Sequence, residues 1–151
     1  MIKVYLGTDH AGFELKEKVK AFLQKEGYDV EDCGALTLDK NDDYPDFCSK
    51  AAEGVASNAG AMGFVFGKSG AGECIVANKI KGIRAVLAIN EKNVQLSREH
   101  NDANVLSLGS DFLSDEKACE LAKLFLNTPF SGEERHQRRI DKITDIENSK
   151  P

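Results

Sequence analysis

Short apolar runs alternate with segments of helical periodicity along the whole chain, and that alternation limits the folds available to it. Residues 2–7, 28–33, 63–67, 83–89 and 105–108 read as strands. Phe13, Val19, Phe22 and Leu23 fall on one face of a helix over about 12–25, which Gly27 stops. A polar loop, 38–43, leads to Tyr44-Pro45, and Pro45 suits the first turn of a helix reaching about Ser57. Further helices are expected over 73–79, 90–100, from the Ser114 cap to about 126, and over 133–146 beyond the breakers Pro129 and Gly132. Strands that alternate with helices form βαβ units, so the expected class is α/β: a five-stranded parallel sheet covered on both faces.

Residues 1–151 are expected to form a single domain that ends in a basic helix. An apolar content of 41% and a charged content of 30% match an ordinary water-soluble protein. No apolar run approaches the roughly 20 residues of a membrane helix, and 1–7 reads as a first strand rather than a signal peptide. Cys33, Cys48, Cys74 and Cys119 form no C-x-x-C pair, which suggests free thiols in a reducing cytoplasm. A net charge of −5 argues against a general nucleic-acid surface.

In parallel sheets ligands bind beyond the carboxyl ends of the strands. Three segments fall there: Thr8-Asp9-His10, Lys68–Gly72 and Gly109-Ser110-Asp111. The second is a glycine-rich turn between a buried strand and a helix, a natural cradle for an anion. It is not a Walker A loop: Met62 stands where that motif needs glycine, and Lys68 precedes the turn. The dinucleotide fingerprint fails at Ile75. Glu73 enters the helix, where the dipole favours its ionised form, so it is expected to be a carboxylate at neutral pH and available as a base. The thiol of Cys74 is discouraged from ionising by that neighbour.

Other segments carry chemistry of their own. Asp9 could orient the His10 imidazole, grip a sugar hydroxyl or cap a helix. His100 lies just past a helix beside Asn101 and is suited to proton transfer. His10, His100 and His136 have no compact metal-ligand spacing, and no metal is expected. Arg135 and Arg139 share one face of the last helix, where two guanidinium forks suit a phosphate or pair with nearby acids.

Together, Asp9–Gly12, Asp43-Tyr44-Pro45, Ser69–Gly72 with Ala77-Asn78-Lys79, Leu96–Leu106 and Arg135–Arg139 resemble the type B ribose-5-phosphate isomerases and their galactose- and allose-phosphate isomerase relatives. The resemblance covers nearly the whole chain. It implies a three-layer α/β/α Rossmann-like sandwich and a homodimer or dimer of dimers with active sites at the interface. It implies interconversion of a phosphorylated aldose and ketose through an enediolate, with neither metal nor nucleotide, and no nucleic-acid or membrane partner. By that resemblance Asp9 and His10 bind substrate, Lys68, Ser69, Gly70, Ala71 and Gly72 supply N–H groups to the enediolate, His100 assists ring opening and Asn101 contacts the sugar. Arg135 and Arg139 hold the phosphate. One branch of the family takes its base from a cysteine directly after the third strand; Gly67 aligns there, which leaves the other branch's glutamate, Glu73. Two positions depart from the pattern. Asp111 stands where relatives often carry a substrate-contacting arginine, and Lys68 stands where glycine is usual.

Overall fold

The computed structural model describes residues 1–151. Five strands, β1 (Lys3–Thr8), β2 (Asp29–Asp32), β3 (Met62–Gly67), β4 (Ala85–Leu87) and β5 (Val105–Gly109), form one parallel sheet in the order β2-β1-β3-β5-β4. Six helices accompany them: α1 (Phe13–Lys25), α2 (Tyr44–Ser57), α3 (Ala71–Asn78), α4 (Glu91–Asn101), α5 (Asp115–Asn127) and α6 (Glu134–Asn148). The expected α/β/α layering with a five-stranded parallel sheet is what the chain adopts.

Alternation along the strands builds two cores. Val4, Leu6, Phe64, Phe66, Leu106 and Leu108 face one side and pack against Val19 and Leu23 of α1 and Leu121 and Phe125 of α5. Tyr5, Val65 and Val105 face the other and meet Cys48, Ala52 and Val55 of α2 and Ala77 of α3. Small residues on α2 let that helix lie close to the sheet; a Cβ on Gly7 would fall 2.6 Å from the Phe47 carbonyl oxygen. No helix is long and apolar enough to cross a membrane.

Three boundaries depart from the sequence reading. The fourth strand shrinks to Ala85–Leu87 because β4 lies at the sheet edge and is only half-buried. Helix α3 begins at Ala71 rather than Glu73, because Gly70, with φ +82°, takes the left-handed cap position. Helix α6 continues to Asn148.

Polar pairs lock the connections. Lys16 is fully buried; its Nζ donates to Asp32 Oδ1 and Oδ2 at 2.9 and 2.8 Å and to the Ala35 carbonyl oxygen. Lys20 adds a bond of 2.8 Å to the same carboxylate. Asn78 clamps the end of α3 to β4, accepting from the Ala85 N–H at 2.8 Å and donating to its carbonyl at 2.9 Å.

The strand order reverses between β1 and β3. From β1 the chain moves outward to β2, and from β3 it moves the other way. The crevice at such a switch point is where open α/β sheets bind ligands.

Candidate active site

Two groups of chemistry-bearing residues emerge, at opposite edges of the sheet. The first fills the switch-point crevice at the carboxyl edge. Asp9 follows β1 and is buried; its Oδ1 accepts from the Ala11 N–H at 2.9 Å and more weakly from the Gly12 N–H at 3.4 Å. That carboxylate therefore shapes the turn into α1 and keeps Oδ2 for other partners. Gly12 is required because a Cβ there would fall 2.6 Å from the Gly67 nitrogen. This close approach brings the ends of β1 and β3 together.

The turn after β3 is fixed from β5. Ser110 N–H donates to the Gly67 carbonyl at 2.8 Å, Asp111 N–H to the Lys68 carbonyl at 2.9 Å, and Ser107 Oγ to the Gly70 carbonyl at 2.6 Å. Ser69 Oγ accepts from the Ala71 N–H at 3.2 Å. Of the amides that open α3, that of Ala71 is engaged by Ser69 Oγ and that of Cys74 by the Gly70 carbonyl, which leaves the Gly72 N–H without a carbonyl partner in the helix. Tyr44, at the start of α2, packs its ring over Gly72, where a Cβ would come within 2.5 Å of the hydroxyl oxygen.

Glu73 stands in the first turn of α3, 4% exposed, with its carboxyl group against the bare backbone of Gly67. Burial pushes its pKa up, the Asp9 charge pushes the same way, and its own backbone N–H opposes them. The helix dipole alone led to the opposite expectation, a carboxylate stabilised in its charged form; desolvation between β1, β3 and α2 outweighs it. A base with a raised pKa accepts a proton more readily. Burial and the Glu73 charge raise the thiol pKa of Cys74, and its Sγ lies 3.5 Å from the Ala85 carbonyl oxygen.

His10 is held by a residue that the sequence reading did not single out. Asp42 Oδ1 accepts both the His10 backbone N–H, at 2.9 Å, and the ring Nδ1–H, at 2.7 Å. Asp42 lies 32 residues from His10 in a polar loop, with no spacing in the sequence that links the two. Asp9, His10 and Asp42 bring one donor atom each within 4.8 Å of one another, the arrangement here closest to a metal centre. Nδ1 and Oδ1 are joined directly by a hydrogen bond, and a cation would have to displace that shared proton.

The second group lies at the amino edge. Helix α4 starts beside the carboxyl end of β4 and runs back to the start of β5. Its eleven residues span about 16 Å. His100 and Asn101 are at its far end and Glu73 is at the near edge. One chain therefore does not bring its own His100 to its own Glu73. The α4 end is pinned by two arginines that sequence reasoning missed. Buried Arg98 donates to Asp102 Oδ1 at 2.8 Å, to the Ala103 carbonyl at 2.6 Å and to the Thr128 carbonyl at 2.9 Å. Arg84 donates to the carbonyls of Asn101 and Asp102, each at 2.8 Å. Asp102 adopts φ +44° in this tight turn.

Helix α6 packs on α4, and the His136 and His100 rings stack, with centroids 4.2 Å apart and planes at 18°. Burial, then the neighbouring His100 and Arg135, hold His136 below the ordinary histidine value. Arg135 and Arg139 project from the same helix and are exposed, with Arg135 Nε bonded to Glu133 at 2.9 Å. They accompany His100 and Asn101, not the crevice of their own chain.

The family model for ribose/galactose isomerase matches residues 4–143. Ribose-5-phosphate isomerase B of Mycolicibacterium paratuberculosis is 43% identical over 148 residues, covering 98% of this chain and 93% of that protein. A ribose-5-phosphate isomerase B structure from Mycoplasma genitalium with bound ribulose-5-phosphate superposes with a TM-score of 0.94 at 39% identity, covering 99% of this chain and 98% of that one. The type B ribose 5-phosphate isomerase structure from Trypanosoma cruzi gives 0.93 at 41% identity, covering 99% and 98%.

Proposed function

Because the chain belongs to the ribose/galactose isomerase family, we propose that it interconverts ribose 5-phosphate and ribulose 5-phosphate through an enediolate, with Glu73 as the base. It is an aldose–ketose isomerase. The observation that carries the assignment of the base is the buried Glu73 carboxyl in the switch-point crevice, one turn from the amides of the Ser69–Gly72 turn.

The chemistry follows from charge. The C2 proton of the open-chain aldose is weakly acidic. Glu73 removes it, and negative charge develops on the C1 oxygen. Fixed N–H donors at the turn stabilise that charge, and one such donor can contribute about 2.7–4 kcal/mol. The C2 hydroxyl proton passes to the C1 oxygen, which moves the charge to the C2 oxygen, and the protonated Glu73 then returns its proton to C1 as the C2 ketone forms. Asp9 and His10 bind the substrate. No metal takes part in this reading.

His100, Asn101, Arg135 and Arg139 act on the substrate from the partner of a homodimer, or of a dimer of dimers. Their position at the edge opposite Glu73 supports a shared site, since ring opening and proton transfer must meet on one molecule. The arginines take the phosphate, which lies far from the reacting carbons and so supplies orientation. Lys68 adds a positive charge beside Asp111, to whose N–H its carbonyl is bonded. The free cysteines fit a reducing cytoplasm as the place of work.

Purified protein should isomerise ribose 5-phosphate with a higher kcat/KM than allose 6-phosphate or galactose 6-phosphate. A higher value with a six-carbon sugar would change the substrate but not the chemistry. Saturable binding without turnover of any of them would make the protein a sugar-phosphate sensor.

A further inference from the structure

We propose that Asp42 is a positioning residue: its buried carboxylate fixes the His10 imidazole with Nδ1–H turned inward, so that Nε2–H faces the crevice as a cationic donor to an anionic oxygen of the bound sugar phosphate. The proposal rests on the reading that His10 contacts substrate.

The geometry is specific. One oxygen, Asp42 Oδ1, collects two donors from the same residue, the backbone N–H and the ring Nδ1–H of His10. The Asp42 side chain is only 9% exposed, whereas the imidazole is 36% exposed. Asp42 Oδ2 is buried and has no hydrogen-bond partner. A buried carboxylate with one oxygen unsatisfied gains most from a neighbour that carries a full positive charge. A carboxylate can only accept here, so the proton lies on Nδ1, and Nε2 is the nitrogen left for substrate.

The surrounding charges act in the same sense. The hydrogen bond that His10 donates to Asp42, and after burial, which opposes it, the charges of Asp9 and Asp42, hold His10 above the ordinary histidine value. Glu14 on α1 and Asp115 at the start of α5 line the same hollow and also favour imidazolium; Lys40 opposes them.

The test has two arms. In the first, the three histidines are titrated by NMR in substrate-free protein, with His10→Gln to assign the signals. Asp42→Asn keeps the shape and an acceptor for the backbone N–H but removes the charge. The His10 pKa should fall toward the ordinary histidine value, and an unmoved His10 titration would overturn the proposal. In the second, KM for ribose 5-phosphate is compared between pH 5.5 and pH 8. The ratio of the Asp42→Asn KM to the wild-type KM should widen several-fold toward pH 8. A ratio that is the same at both pH values would mark a merely structural role and would also overturn the proposal. Ionisation of the substrate phosphate, near pH 6, is common to both proteins and cancels. The first arm needs no turnover, so its outcome is independent of whether the isomerase reading holds.

Discussion

The Glu73 carboxyl group occupies the space that a side chain at residue 67 would fill. A Cβ at Gly67 would fall 1.7 Å from Glu73 Oε1 and 2.1 Å from its Cδ. A base on the helix and a side chain at the end of β3 therefore exclude each other sterically. Glycine at 67 is the condition that lets Glu73 reach the crevice, since any side chain there, cysteine included, would need the same space.

The first prediction follows from that contact. Gly67→Ala must push the Glu73 carboxyl aside, because the opposing atoms are those of the proposed base. A displacement of about 1 Å can cost on the order of 10²-fold in rate. The expected result is a fall in kcat of that order with a circular dichroism spectrum like that of the wild type. An unchanged kcat would mean that the carboxyl does not work from the position described.

The second concerns the division of the site between two copies. Glu73→Gln and His100→Asn should each be inactive alone. Mixing the two by unfolding and refolding should restore up to about a quarter of wild-type activity, since half of the dimers are mixed and each carries one intact site. No recovery in a mixture shown by mass spectrometry to contain heterodimers would place both residues on one chain's site.

The third concerns stability. Asp32→Ala leaves the fully buried Lys16 ammonium with only the Ala35 carbonyl, and such a loss costs about 3–5 kcal/mol. Urea unfolding should show that loss, and Lys16→Met in the same chain should recover much of it. The wild-type pair also predicts a pH dependence. Burial works against ionisation of Asp32, but the bonds from Lys16 and Lys20 outweigh it and hold the carboxyl below its ordinary value. The stabilisation is complete above the unfolded value of about 3.9 and is lost as pH falls through the folded one. The urea midpoint of the wild type should therefore decline more steeply below pH 4 than that of Asp32→Ala.

Much of this architecture was legible in the sequence because buried parallel strands are continuous apolar runs. Phe64-Val65-Phe66 and Val105–Leu108 announce themselves in that way, and the glycines that follow mark the crevice. The short edge strand β4 was overestimated because half-buried residues carry little pattern. The Glu73 position was readable from the turn, but the direction of its pKa shift was not, since desolvation depends on how β1, α2 and β3 close around it. Asp42 was invisible for a related reason: its partner His10 is distant in sequence, and one more aspartate in a polar loop has no periodicity to distinguish it. His136 was weighed only as a metal ligand, and its stacking on His100 depends on how α6 packs against α4.

The central claim is that Glu73 moves the proton, and solvent-deuterium incorporation at C2 of ribose 5-phosphate measures that step directly. Wild-type protein and Cys74→Ser should both exchange. Glu73→Gln, which keeps the shape and loses the base, should slow exchange by about 10²–10⁴-fold. Exchange at the wild-type rate in Glu73→Gln, or its loss in Cys74→Ser, would contradict the account.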